Sequence, residues 1–456
     1  MTLSATQRLA AFCLDLRWDK LPSAVQERTK ELVLDLTGVA LRGSLEESSR
    51  PGIELAREMA GGGRAIVWGA GFRAPAPWAA LANGTMAHAI EMDDVTTESS
   101  LHPGVAVVPA ALSLAQENDA PPTRFLEAVV AGYEVMMRVG NALNPASAYA
   151  RGFHPTGVAG AFGAATAASL LLGLDIAQTV SALGIAGTMA AGSLEYLSDG
   201  SWTKRLNAGW AAHAGVVAAS LARTGFTGPA SAIEGPLGAL HAFSDDPDPD
   251  RLFFDDPGQQ FQVERVSIKP YACCRYNHGL IDCVLALRNQ HRIASEDVER
   301  IRLGVLTGGA LLVAEPIERK RDPRNLVEAQ FSAPFGSALA LVRGSAGYRD
   351  FTPANLEDET IRNLMTRTDC VRDPALDARY PQEWPAWVEL RLRDGQLLRS
   401  EIRHASGEPE NPVSRAALIE KFVDLAGGSI PRARALEVAD HILRMDDLAD
   451  VEVLAL

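Results

Sequence analysis

Phe261-Gln-Val-Glu-Arg-Val-Ser-Ile268 is where the texture of this 456-residue chain changes. Ahead of it, apolar residues recur at helical spacing; from it onward, apolar and polar residues begin to alternate. The octapeptide itself alternates and reads as a strand, as do Val298-Glu-Arg-Ile301-Arg-Leu303-Gly-Val305 and Val388-Glu-Leu390-Arg-Leu392. Asp394-Gly395 then predicts a type I′ turn, with a second strand returning through Gln396 to Ile402. Helical runs from Leu280 to Leu287 and from Gln330 to Leu341 lie between the strands. Past Gly407-Glu-Pro-Glu-Asn-Pro412 the helical spacing resumes. The expected fold class is mostly α with an α+β second domain. A large helical domain covers 1–264, a smaller α+β domain covers 265–405, and C-terminal helices over 406–456 return to the large domain.

Working back from Phe261, Leu21-Pro22-Ser23 opens a helix that closes near Gly43. Thr123 is expected to cap another, which carries Phe125, Val129, Tyr133 and Met136 at helical spacing. Ala164 to Leu172, Ala177 to Ala191 and Ala208 to Ala222 continue the series. The uncharged stretch Pro155 to Leu174 reaches the ~20 residues that a membrane span needs. Its Ala, Gly and Thr content, with Gly157, Gly160 and Gly163 spaced by three, marks a buried helix packed closely on its neighbours instead. Gly69-Ala-Gly71-Phe-Arg-Ala74 nominally fits a dinucleotide fingerprint. Pro75 and Pro77 argue against the helix such a site requires, which leaves a glycine-rich turn.

A chain of 456 residues exceeds the roughly 250–300 residues over which one core grows, so two domains are expected. With 57 acidic against 43 basic residues the net charge is −14, and no basic stripe offsets it. Nucleic acid is therefore excluded as a partner, while a local positive pocket for a small anion is not. Met1-Thr-Leu-Ser-Ala-Thr has no basic segment leading into an apolar one, so no signal peptide is expected. Five cysteines, an odd number in a large chain, fit a reducing compartment, and the expected location is cytoplasmic with no membrane association.

Four polar segments stand out against this apolar background. His88-Ala-Ile-Glu91-Met-Asp93-Asp94, followed by His102-Pro103, gathers two imidazoles and three carboxylates just ahead of the apolar run Val105 to Ala115. Arg151-Gly-Phe-His154-Pro precedes an apolar helix, and Trp202-Thr203-Lys204-Arg205-Leu206-Asn207 sits between two small-residue helices. Lys269-Pro-Tyr271-Ala-Cys273-Cys274-Arg275-Tyr276-Asn277-His278 follows the strand-like octapeptide. Any one of them alone reads most simply as a helix cap or a solvated charge. Together they supply bases (Asp93, His102, His154) and cations (Lys204, Arg275), which handling a small polycarboxylate requires. Cys273, Cys274 and Cys283 with His278 raise a metal reading. Adjacent cysteines lack the C-x₂-C spacing that converges two thiolates on one ion, so no metal is expected.

With all four segments in view, the chain resembles the MmgE/PrpD family, which includes 2-methylcitrate dehydratases, cis-aconitate decarboxylases and iminodisuccinate epimerases. The residues that carry the resemblance are Leu81-Ala-Asn-Gly84-Thr-Met-Ala-His88 through Asp93-Asp94, His102-Pro103, Gly152-Phe-His154, Trp202-Thr-Lys204-Arg205-Leu206, Lys269 to His278 and Glu328-Ala-Gln-Phe-Ser332. The resemblance implies a large helical domain built from both chain ends, a smaller α+β domain, and an active site in the cleft between them. It also implies a homodimer with no metal or organic cofactor. Carried over by position, Asp93, His102, His154 and Lys204 match site residues of the family. The chain departs from decarboxylase-like members at Glu91, where they have Asp, at Val95, where they have Thr, and at Phe335, often Tyr. Their histidine in the Lys-Pro-Tyr segment is replaced by Cys274 or Tyr276.

The reactions of such a family share a carbanion or enediolate-like state next to a carboxylate, which paired cations must stabilise as charge builds. Lys204 and Arg275 suit that role, Arg275 through a bidentate grip. His102 and His154 are the candidate base and acid, Asp93 or Asp94 orients an imidazole or acts as base, and Tyr276 donates a proton. Glu91, Asp94, Thr203, Cys274 and His278 flank these groups and are expected to contact substrate. The leading expectation is a cofactor-independent hydro-lyase on a small di- or tricarboxylate. Epimerisation and cis-aconitate-type decarboxylation follow, and a non-catalytic binding protein on the same scaffold is the contrasting class.

Overall fold

The computed structural model describes residues 3–253 and 258–456. Its larger part is a stack of helices centred on Gly104–Glu117, Pro122–Ala142, Pro155–Leu171 and Thr203–Arg223. Pro155–Leu171 is buried along its whole length, as its uncharged, small-residue composition requires. A Cβ on Gly160 would stand 2.9 Å from the Ala211 Cβ, and one on Gly163 2.6 Å from the Met136 Cβ, so these backbones approach closer than a larger residue allows. Among the described residues no helix is long and apolar enough to cross a membrane.

Three local expectations are corrected here. Pro121, not Thr123, holds the cap position of Pro122–Ala142, because paired prolines pre-set the backbone of a first turn that needs no N–H. Pro75 and Pro77 start a helix, Ala76–Ala87, for the same reason. The glycines before it do form a turn, Gly69 and Gly71 taking positive φ between the antiparallel strands Ala65–Val67 and Phe72–Ala74. The octapeptide at Phe261 is only marginally a strand. Gln262–Arg265 is a 3-10 turn, and Val266–Ser267 alone pairs, with Val95–Thr96. Phe261, Gln262 and Val263 are buried in succession and the Gln262 N–H donates to Glu134 at 2.5 Å, so the alternation marked no half-exposed sheet face.

The C-terminal helices Arg415–Ala426 and Arg432–Leu443 lie against Ser23–Gly43 and share one core with residues from Leu9 to Ile268. Phe422 packs on Gly38, where a Cβ would meet its ring at 2.9 Å. Burying such a side chain contributes about 1.5–3 kcal/mol. Lys421 adds a 2.7 Å bond to the buried Asp35.

The smaller part has its own core and a four-stranded sheet ordered Thr368–Arg372, Val298–Val305, Ala386–Leu392, Leu397–Ile402. The first pair is parallel and the other two are antiparallel. His278–His291 and Ala333–Arg343 contribute Leu280, Ile281 and Leu339 to its core. The hairpin forms where expected but not with a type I′ turn. Only Gly395 has positive φ, and its N–H bonds the Leu392 carbonyl at 3.0 Å, a longer loop closed by one left-handed glycine.

Candidate active site

The loop joining Ala76–Ala87 to Gly104–Glu117 carries the acidic motif into the interior. Asp93 is fully buried, and His88 and His102 both direct Nδ1 at its Oδ2, at 2.9 and 2.8 Å. His102 Nδ1 also lies 2.9 Å from the Asp94 carbonyl. Two acceptors facing one nitrogen place the proton there, so Nε2 of His102 is its basic nitrogen. Burial outweighs the attraction of Asp93 and pushes His102 down to about 4, leaving it neutral at pH 7. Burial would raise Asp93, but His88 and His102 hold it well below the usual carboxylate range.

His154 stands at the start of Pro155–Leu171, its backbone N–H bonded to the Gly192 carbonyl at 2.9 Å. Its Nδ1 is 3.4 Å from the Asn207 amide nitrogen, which also donates to the Ser193 carbonyl at 3.2 Å. That second bond orients the amide, so Asn207 donates to His154 Nδ1 and the imidazole carries its proton on Nε2. His102 and His154 thus hold opposite tautomers. Their rings flank His88, with centroids 4.7 and 5.9 Å from it. Burial, then the nearby Lys204, depresses His154 well below its ordinary value.

Lys204 sits in the first turn of Thr203–Arg223 and pairs through Nζ with Glu91 Oε1. Lys269, fully buried just after the Val266–Ser267 strand, donates to the Glu91 carbonyl at 3.1 Å and faces its Oε2 at 3.5 Å. Glu91 has φ of 57°, a left-handed conformation that a glutamate adopts only when its surroundings impose it. Burial works to raise its carboxyl, yet Lys204 and Lys269 hold it far below the usual range. Burial lowers Lys204, while for Lys269 the attraction of Glu91 and Asp93 outweighs burial and raises it.

The other predicted residues divide. Asp94 accepts bonds from the Tyr133 hydroxyl at 2.6 Å and the Gly104 N–H at 3.0 Å, which tie the loop to the helical core. Burial pushes it up to about 7. Burial raises the Cys274 thiol, and Lys269, Glu91 and Lys204 are among the charges that act on it. Tyr276 packs its ring 4.6 Å from that of Trp384. His278 is a core histidine, with Nε2 3.3 Å from the Cys273 carbonyl and its ring beside Tyr271. Thr203 is exposed at its helix start. Arg275, expected to grip a substrate carboxylate, has Nη2 paired with the buried Glu408, its guanidinium 5.1 Å over Trp384, and Nη1 buried without a hydrogen-bond partner.

Lys269, Asn207 and His88, quoted within the polar segments but given no role there, join the site. A lysine directly after a buried Val266-Ser-Ile268 strand was the available signal for the first. His88, Asp93 and His102 each offer a ligand atom within 4.8 Å of the others, as do His404, Glu408 and Glu410, so either trio has room to hold a metal ion. The five cysteines are free thiols and belong to neither group.

Comparison with known proteins adds a lineage to this geometry. The MmgE/PrpD N-terminal domain matches residues 7–252 and the MmgE/PrpD C-terminal domain matches residues 271–445. The cis-aconitate decarboxylase-like protein oryM of Aspergillus oryzae is 27% identical, covering 99% of this chain and 97% of its own. The cis-aconitate decarboxylase of Aspergillus terreus is 25% identical, covering 98% and 94%. That of Mus musculus is 26% identical, covering 100% and 93%.

Proposed function

The chain belongs to the MmgE/PrpD family, and from that premise we propose that it is a lyase acting on a small di- or tricarboxylate. The observation that carries the reading is the opposite tautomers of His102 and His154 beside two buried lysines. His102, held by Asp93, accepts a proton from the carbon next to a substrate carboxylate through Nε2. Lys204 and Lys269 stabilise the charge that then builds on that carboxylate, where a low-dielectric setting strengthens their effect. His154 hydrogen-bonds the departing hydroxyl through its Nε2–H, and the proton taken up by His102 leaves with that hydroxide as water.

A base and an acid used together suit dehydration of a β-hydroxy polycarboxylate, which is the leading reading. Decarboxylation is the second, because the full-length relatives are cis-aconitate decarboxylases; it needs only the acid, His154. The departures at Glu91, and at Cys274 or Tyr276, weaken the case for cis-aconitate as the substrate and equally that for 2-methylcitrate. A homodimer in the cytoplasm remains the expected setting. Trp202, Leu206 and Trp210 stay exposed on one face of the Thr203–Arg223 helix, where a second copy would cover them. Light scattering of the purified protein checks the dimer.

The deciding experiment is proton NMR of chelator-treated protein in D₂O with citrate, 2-methylcitrate, cis-aconitate and iminodisuccinate. A new vinyl signal from a hydroxy acid, lost in His102→Gln and His154→Gln, supports dehydration. Carbon dioxide release that survives His102→Gln but not His154→Gln supports decarboxylation. Solvent deuterium entering an α-position without net conversion points to epimerisation, and no change in any substrate sinks the lyase proposal.

A further inference from the structure

Resting on the reading of a polycarboxylate lyase, we propose that Lys320 is a specificity-determining residue that receives a second substrate carboxylate, away from the reacting carbon. Lys320 ends the short Ile317–Lys320 helix and is half-buried. Its Nζ donates to the Leu312 carbonyl at 2.5 Å and the Phe331 carbonyl at 2.9 Å. An ammonium has three N–H donors, so two carbonyls leave one to spend. Among the described residues no carboxylate forms an ion pair with it. Glu328, its acidic neighbour, is taken by Arg319 at 3.3 Å and by the Arg324 N–H at 2.9 Å.

Lys320 lines a cavity of about 30 Å³ together with Tyr196, Leu197, Val327, Phe331 and the mutually paired Arg319 and Glu328. Two of those walls belong equally to the catalytic cluster. The Tyr196 ring lies 6.1 Å from that of His154, and the Phe331 ring lies 5.3 Å from Lys204 Nζ. The cavity volume is about that of one water molecule, enough for a carboxylate oxygen. A half-buried cation without a counter-ion is electrostatically incomplete, and an anionic group from a ligand completes it. The charged and titratable groups around it are Cys274, Arg319, Glu328 and Cys370; burial dominates them and pushes Lys320 down to about 8. It is therefore charged at neutral pH and loses that charge just above it.

The test is isothermal titration of wild type, Lys320→Met and Lys320→Arg with tricarballylate, succinate and propionate, unreactive tri-, di- and monocarboxylates. For the tighter polycarboxylate, Lys320→Met is expected to weaken binding about 10- to 100-fold, with propionate unchanged. Wild-type affinity should fall from pH 7 to pH 9, whereas Lys320→Arg, charged throughout, should hold its affinity. Equal affinities in wild type and a folded Lys320→Met would overturn the proposal. So would a parallel loss for propionate, or wild type binding no polycarboxylate. If Lys320→Met does not fold, the contrasting pH profiles of wild type and Lys320→Arg decide. Polycarboxylate binding without any turnover would sink the lyase reading while leaving Lys320 in its role.

Discussion

Asp94 offers a sharp quantitative test of the buried loop. Burial, with Asp93 adding and the Tyr133 hydroxyl opposing, moves its carboxyl from 3.8 to about 7. Between those two values the native protein holds a proton that the unfolded chain has released. The stability it contributes is therefore complete below pH 3.8 and lost as pH rises through about 7. Three pKa units correspond to about 4 kcal/mol. Asp94→Asn keeps the shape, leaves an amide oxygen that can accept from the Tyr133 hydroxyl, and cannot ionise. The unfolding free energy of wild type minus that of the variant should fall by about 4 kcal/mol between pH 4 and pH 8. His102 runs the other way: it is buried neutral, so stability grows as pH rises from about 4 to 6.5, by about 3 kcal/mol. The two nearly cancel in the wild-type curve, and only the difference between the proteins exposes Asp94. Urea unfolding followed by circular dichroism, repeated across that pH range, makes the measurement. A difference that stays constant, or grows with pH, refutes the reasoning.

Other outcomes test neighbouring claims. Lys269→Met should lower kcat/KM by about 10²- to 10³-fold with the fold retained, since Glu91 keeps Lys204 but a developing charge loses one of two cations; steady-state kinetics beside a melting curve checks it. Arg275→Met should cost about 3–5 kcal/mol by leaving Glu408 buried without its cation. Pairing it with Glu408→Gln should restore most of that stability, and near-normal turnover in the double variant would confirm that Arg275 does not grip substrate. Gly163→Val should lower the melting temperature through about 1–3 kcal/mol of overpacking, because its first side-chain atom already meets Met136.

Much of this was legible in the sequence where one physical demand dominates. Histidines and carboxylates among apolar residues at 88–102 and 154 had few places to go except a buried polar cluster. Pro155–Leu171 had to be interior because nothing in it tolerates water better than packing. Failures came where the deciding partner is remote. Arg275 read as a free cation, whereas Glu408, 133 residues further on, engages its Nη2. Phe261 to Ile268 alternated like a strand, yet Glu134 bonds its backbone from another helix. Thr123 is an apt cap residue displaced by the Pro121-Pro122 pair two positions earlier. Lys269 gave no periodic signal at all, since its role comes from Glu91 and a φ of 57° that spacing does not encode.

The seating of residues 415–454 on the Ser23–Gly43 helix bears on how the chain is made. A ribosome delivers Asp35 and Gly38 nearly four hundred residues before Lys421 and Phe422, the side chains that cover them. Through most of synthesis the helical layer therefore shows an unfinished apolar flank, while the α+β layer draws most of its core from Ala272 to Leu390, with Val39, Ala89, Ile90 and Met92 made earlier and Leu425 later. Residues 415–454 emerge long after the Ser23–Gly43 helix that they seal, so a nascent chain stalled before residue 415 is a natural client for a chaperone.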